Sequence, residues 1–184
     1  MSHFEKQLSS EEIFDGRVFT VQKDLVQLED DQKVCREVIR HNGGVCIAAL
    51  DECDNLLMVR QFRYAMNTEL LEIPAGKLEA GEEPMECGKR ELQEETGYTA
   101  GSFQYIGKMY PSPAYLDEII YIYLATDLLV SEQNLDDEEF LSVEKIPFDE
   151  AVEMMLSGQI PDAKTQVALW TVKHYRDTGR LPNV

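Results

Sequence analysis

Between Gly76 and Gly97 the chain reads Gly-Lys-Leu-Glu-Ala-Gly-Glu-Glu-Pro-Met-Glu-Cys-Gly-Lys-Arg-Glu-Leu-Gln-Glu-Glu-Thr-Gly, a glycine-bearing loop that runs into a stretch dense in glutamate. Pro84 suits the first turn of a helix, where a backbone N–H has no partner to lose, and Gly97 suits a C-terminal stop because glycine adopts left-handed backbone at least cost. The two predict a helix over Pro84 to Thr96. At roughly 100° per residue, Glu91, Glu94 and Glu95 project within an arc of roughly 100°, while Met85, Gly88 and Leu92 share the adjoining face. The apolar face is expected to dock the helix and the acidic face to look into a cleft. Carboxylates three and four residues apart repel by about a few tenths of a kcal/mol per pair on an exposed helix, and by more in a cleft. A divalent cation offsets that repulsion, and a hard ion such as Mg²⁺ or Mn²⁺ takes oxygen ligands of this kind. On charge pattern alone, a solvated face with Lys89 and Arg90 as partners is an equal reading.

The surroundings of this segment are rich in strands. Val18 to Leu28 and Lys33 to His41 read as a hairpin about the polar turn Glu29-Asp30-Asp31-Gln32. Gly44 to Leu50 and Leu56 to Phe62 are nearly unbroken apolar runs, the mark of strands covered on both faces. Further strands are expected at Leu70 to Ile73, Phe103 to Tyr110, Glu118 to Thr126 and Phe140 to Ile146. Two more helices are expected: Phe148 to Leu156, ended by Gly158, and Ala163 to Asp177, with Asp162 as N-cap and Gly179 as stop. Strands and helices in this mixed order predict an α+β fold, an α/β/α sandwich.

A chain of 184 residues is long enough to bury one core without staples. Its 43% hydrophobic content is that of a globular protein. The net charge of −18 argues against nucleic acid and against anionic membranes, both of which need a basic footprint. It does not exclude a small phosphorylated substrate, since a divalent metal and a few arginines reverse the sign locally. Cys35, Cys46, Cys53 and Cys87 form no Cys-x-x-Cys pair, and His3, His41 and His174 lie far apart, so no zinc site is visible. With no long apolar run and no signal-like N-terminus, a reducing cytoplasm is expected.

Gly76, then Glu82, then Arg90-Glu91-Leu92-x-Glu94-Glu95-x-Gly97 resembles the Nudix box of the Nudix hydrolase family at every fixed position but the last, where Tyr98 stands in place of the usual aliphatic residue. An aromatic fills the same apolar slot. The resemblance implies a Nudix fold, with a mixed sheet between helices and an added N-terminal antiparallel sheet. It also implies that Glu91, Glu95 and Glu94 are metal ligands, joined by the Ala75 carbonyl. Arg90 resembles the residue that orients a neighbouring glutamate, and Glu82 a support for the loop.

Outside the box, Pro113 lies sixteen residues beyond Gly97, which resembles the mark of the ADP-ribose pyrophosphatase subgroup. The stretches Arg36 to His41, Gln61-Phe62-Arg63, Glu72 to Gly76 and Asp162 to Thr165 look like that subgroup too. The implied reaction is hydrolysis of ADP-ribose, or of another nucleoside-diphosphate sugar, at its pyrophosphate bond. Arg63, Arg60, Arg36, Glu72 and Pro113 are the candidate substrate contacts. Glu139, with Glu138 second, resembles a loop glutamate that approaches the metals as base or ligand; Glu94 and Arg90 complete the candidate catalytic set. In relatives the N-terminal portion is exchanged between subunits. The expectation here is therefore a homodimer with residues 1–42 exchanged and 43–184 as catalytic domain. Hydrolysis of a nucleoside triphosphate and a non-catalytic ligand-sensing domain are the alternatives; the intact set Glu91, Glu94 and Glu95 speaks against the second.

Overall fold

A computed structural model of the chain describes residues 3–135 and 140–181. The described residues form two compact units, one within Met1–Gly43 and Tyr110–Ile119, the other within Gly44–Met109 and Ile120–Val184.

The first unit is a three-stranded antiparallel sheet in the order β1 (Lys6–Asp15), β2 (Phe19–Gln27), β3 (Lys33–His41). The expected hairpin is β2 with β3, paired without a register shift from Phe19 opposite His41 to Gln27 opposite Lys33. Asp31 turns the chain with a φ of 65°, a backbone state that short polar side chains tolerate. Strand β1 was not anticipated. All ten of its residues are exposed, so neither face is buried and no period-two apolar pattern marks it. The segment Tyr110–Ile119 lies along β3: the Ile39 N–H donates to the Tyr115 carbonyl at 2.7 Å and the Asp117 N–H to the Ile39 carbonyl at 3.1 Å.

The second unit holds two sheets. One runs β7 (Ala75–Lys77), β4 (Gly44–Ala49), β9 (Ile120–Val130), β8 (Tyr98–Met109), and the other β10 (Leu141–Pro147), β5 (Asn55–Arg63), β6 (Thr68–Glu72). Within the first of these sheets, among the described residues, β4 and β9 pair in parallel and the other pairs are antiparallel, so that sheet is mixed. Every residue of β4 is buried, as its unbroken apolar run predicts. Successive side chains of a strand point to opposite faces. Cys46 and Ala48 join a core with Phe148 and Val152 of α2 (Phe148–Leu156) and Leu169 and Val172 of α3 (Ala163–Thr178). Val45, Ile47 and Ala49 join a second core with Cys87 and Leu92 of α1 (Pro84–Thr96). Sheet between helices is the expected α/β/α sandwich. No described helix is long and apolar enough to cross a membrane.

Helix boundaries follow their local chemistry. Gly97 ends α1 at φ 71°, Gly179 ends α3 at φ 67°, and the Asp162 side chain accepts the Thr165 N–H at 2.9 Å. Three details depart from expectation. Strand β8 starts at Tyr98, directly after the cap, and not at Phe103; β7 is an extra strand, held to β4 by backbone pairing at Ala75, Gly76 and Lys77. On α1, Met85 is 39% exposed, and the buried positions are Cys87, Gly88, Leu92, Glu95 and Thr96. Met85 lies in the first turn, at the end of the helix, where an apolar side chain has less of the sheet to meet. Glu95 thus sits inside the docking arc, not beside it.

Candidate active site

Arg90 organises the acidic helix. Its Nε and Nη2 each donate to a Glu82 oxygen at 3.0 Å, and its Nη1 donates to Glu91 Oε1 and Glu94 Oε2, each at 2.8 Å. A planar guanidinium offers donors along a rigid fork, so one residue can fix three carboxylates. The Arg90 contact, helped by the Glu79 N–H, holds the Glu82 carboxyl down at about 2. Arg90 itself is pushed above its ordinary value, by Glu82 first and Glu91 next. One cation among three carboxylates still leaves the group negative.

Glu95, only 2% exposed, accepts the Ala75 N–H through Oε2 at 2.9 Å. This contact ties α1 to β7. Beside it, a Cβ on Gly76 would stand 1.8 Å from Glu91 Cδ and 2.0 Å from its Oε1. Glycine is needed there so that the Glu91 carboxylate can lie against the β7 backbone. Because the blocking atoms belong to the tip of a flexible side chain, Gly76→Ala is expected to leave the melting temperature within a few degrees of wild type, since the side chain can swing away. Any turnover that depends on the Glu91 carboxylate should fall about tenfold or more, because the carboxylate is displaced from the position that it holds against β7. Melting curves and steady-state rates on the same preparation check both halves.

Among the described residues, no three His, Cys, Asp or Glu side chains converge as they stand to hold a metal ion. In the structure Glu91 and Glu94 are drawn to Arg90, and Glu95 accepts the Ala75 N–H. In kind, the donors fit a hard divalent ion. They are carboxylate oxygens in excess over cations, and the close approach at Gly76 brings a carboxylate and the β7 backbone together.

A second cluster flanks the first. Arg63, at the end of β5, donates to both oxygens of the buried Glu72, from Nε at 2.8 Å and Nη2 at 2.7 Å. Lys164 donates to Glu72 Oε2 as well, and to Asp162 Oδ1 at 3.0 Å. Burial works against a charged Glu72, yet Arg63 and Lys164 outweigh it and bring the carboxyl down to about 2. Arg63 is held above its ordinary value by Glu72 first, with the charges of Glu95 and Asp162 adding to it. That influence of Glu95 links the two clusters. Glu72, expected as a substrate contact, has both its oxygens engaged inside the protein. The sequence marks Lys164 only as part of the stretch Asp162 to Thr165, which resembles the subgroup; its contact with Glu72 is ninety-two positions away and leaves no local signal.

The other candidates have partners of their own. Arg60 donates from Nε to Glu144 Oε1 at 2.5 Å, across the pairing of β5 with β10. Arg36 belongs to the first unit and forks onto Glu5 at 3.0 and 2.7 Å. Pro113, in the same unit, lines a cavity of about 410 Å³ with Val38, Arg40, Tyr110 and Tyr115. Glu138 and Glu139 lie outside the described residues. The chain just before them is tied to the end of α1: the Asn134 N–H donates to the Glu94 carbonyl at 3.1 Å, Gln133 Nε2 to the Glu95 carbonyl at 2.5 Å, and the Ser131 N–H to the Gly97 carbonyl at 2.7 Å.

Comparison with known proteins adds the lineage. The chain is 40% identical to the ADP-ribose pyrophosphatase of Bacillus subtilis (strain 168) over 167 residues, 90% of each chain. It is 39% identical, over the same share of each, to the methanol dehydrogenase activator of Bacillus methanolicus. A crystal structure described as an ADP compounds hydrolase superposes with a TM-score of 0.86, covering 98% of this chain and all of that one at 23% identity, a likeness of fold. The sequence pattern of the NUDIX domain matches residues 40–168, which span α1 and most of the second unit, and with these relatives it shows that the chain belongs to the NUDIX domain family.

Proposed function

We propose that this chain hydrolyses ADP-ribose at its pyrophosphate bond, giving AMP and ribose 5-phosphate, with Mg²⁺ as its metal and Mn²⁺ as a substitute. The observation that carries the reading is the acidic face of α1, where Glu91, Glu94 and Glu95 gather around one arginine and the β7 backbone. The name of the Bacillus subtilis relative, ADP-ribose pyrophosphatase, agrees with it.

Glu91, Glu94 and Glu95, with the Ala75 carbonyl, would hold the metal. When bound, a divalent ion neutralises non-bridging phosphate oxygens and lowers the pKa of an attacking water. Arg63 binds the diphosphate: Nε and Nη2 are held by Glu72, while Nη1 donates to no described residue. The new bond joins water oxygen to phosphorus and the bridging P–O bond breaks. A carboxylate accepts the water's proton; Glu139 is our first choice, then Glu138 and Glu94. Arg90 would hold Glu91 and Glu94 in register for the metal. Arg60 is paired with Glu144, which makes it the weaker candidate for the phosphates.

We propose further that the chain is a homodimer, in which residues 1–42 are exchanged and bring Arg36 to the nucleoside beside Pro113. The wholly exposed β1, with Ile13 and Phe14 uncovered, supports this. Light scattering is expected to give twice the 21.0 kDa chain mass; a monomer removes the shared site. Free thiols at all four cysteines suit the cytoplasm.

The decisive experiment titrates ADP-ribose hydrolysis against Mg²⁺ with AMP as readout, beside a panel of other nucleoside-diphosphate sugars. Saturable activation, loss with chelator and preference for ADP-ribose are expected. Turnover undiminished by chelator overturns the metal assignment, and preference for another sugar nucleotide overturns the substrate.

A further inference from the structure

The cluster of Arg63, Glu72, Lys164 and Asp162 contains more charge than a phosphate contact needs. Lys164 lies in the first turn of α3 with its side chain only 13% exposed, an unusual place for an ammonium group. It is held from two sides, by Glu72 at the end of β6 and by Asp162 at the cap of α3. Asp162 is fixed in turn by the Thr165 N–H at 2.9 Å and its hydroxyl at 2.6 Å, and that hydroxyl accepts the Ile73 N–H at 3.0 Å. Adjacent residues of one chain segment, Glu72 and Ile73, are therefore pinned to adjacent residues of the other, Lys164 and Thr165. This fixes the carboxylate on which Arg63 is forked.

Charge explains why a lysine stands there. Two cations and two carboxylates balance. Removing Lys164 takes one positive charge from this group and leaves Arg63 against Glu72 and Asp162, with Glu95 also acting on it, so the surroundings of its Nη1 become more negative by one charge. A dianionic diphosphate would then meet less attraction there. We infer that Lys164 is a positioning residue for substrate binding: it holds Glu72 in place and offsets Asp162, so that Arg63 presents one oriented, electropositive edge to the diphosphate. This rests on the proposed role of Arg63.

The test uses the full chain with ADP-ribose and Mg²⁺. KM, kcat and the half-activating Mg²⁺ concentration are measured for wild type, Lys164→Met, Lys164→Arg, Arg63→Met and the double variant Arg63→Met/Lys164→Met. Lys164→Met fills the space without the charge; it is expected to raise KM about tenfold, the scale of one charge-assisted contact, with kcat within about threefold. The Mg²⁺ requirement should not move. Lys164→Arg restores the charge and should recover most of the lost affinity, whereas a packing role would favour methionine over the bulkier arginine. In the Arg63→Met background, Lys164→Met should add little, because the group it positions is gone. If Lys164→Met does not fold, Lys164→Gln replaces it. Unchanged KM in folded Lys164→Met, or an equal penalty in both backgrounds, overturns the inference. Unchanged KM in Arg63→Met overturns instead the phosphate-binding role on which it stands.

Discussion

Glu95→Gln is expected to lower kcat about a thousandfold at saturating Mg²⁺ while the protein melts as a folded chain. Losses of that size follow removal of one preorganised electrostatic element from an active site. The substitution is nearly isosteric, and an amide oxygen can still accept the Ala75 N–H that Glu95 accepts at 2.9 Å, so the tie between α1 and β7 survives. What disappears is a negative charge at a side chain only 2% exposed. Burying a neutral amide is less costly than burying a carboxylate, which is why the fold should persist. The proposed divalent cation would offset that cost beyond what Arg63 already does. Steady-state kinetics, with a thermal melt of the same sample, decide the matter. Near-normal Mg²⁺-dependent hydrolysis by the variant would remove Glu95 from the ligand set.

What could be read from the sequence depended on whether a residue's role was local. Pro84 and Gly97 bound α1 where expected, because their effects are written in their own backbone chemistry. Asp162 caps α3 for the same reason. The six apolar residues of β4 announced burial on both faces, and the two cores bear that out. Strand β1 was illegible because exposure on both faces erases the alternating pattern. Strand β7 was illegible because its three residues are held by backbone pairing that no side chain advertises. At the site, the acidic arc of α1 was evident from spacing, but its partition was not. Nothing local distinguishes Glu95, which meets Ala75, from Glu94, which meets Arg90. Nor could spacing reveal that Glu72 and Lys164, ninety-two positions apart, share a buried ion pair.

That pair sets the second large effect. Glu72→Gln is expected to destabilise the protein by about 3–4 kcal/mol at pH 7, because a buried carboxylate that serves two cations becomes a neutral amide: Lys164 keeps Asp162, while the half-buried Arg63 loses its carboxylate. For a chain of this size that is a fall in melting temperature of about 10 °C. The pH dependence carries the signature. Glu72 is lowered in the folded protein from 4.5 to about 2, so its contribution is fully present above the unfolded value and is lost as pH falls through that window. Linkage over that interval removes about 2 kcal/mol of wild-type stability by pH 3. Glutamine does not titrate. The gap in melting temperature between wild type and Glu72→Gln should therefore be constant from pH 7 to about pH 5 and should narrow below it. A gap that stays the same down to the acid limit of the wild-type fold would mean that Glu72 stabilises by packing and hydrogen-bond shape. Its charge would then be incidental, and so would the balance of cations and carboxylates in which Arg63 and Lys164 take part.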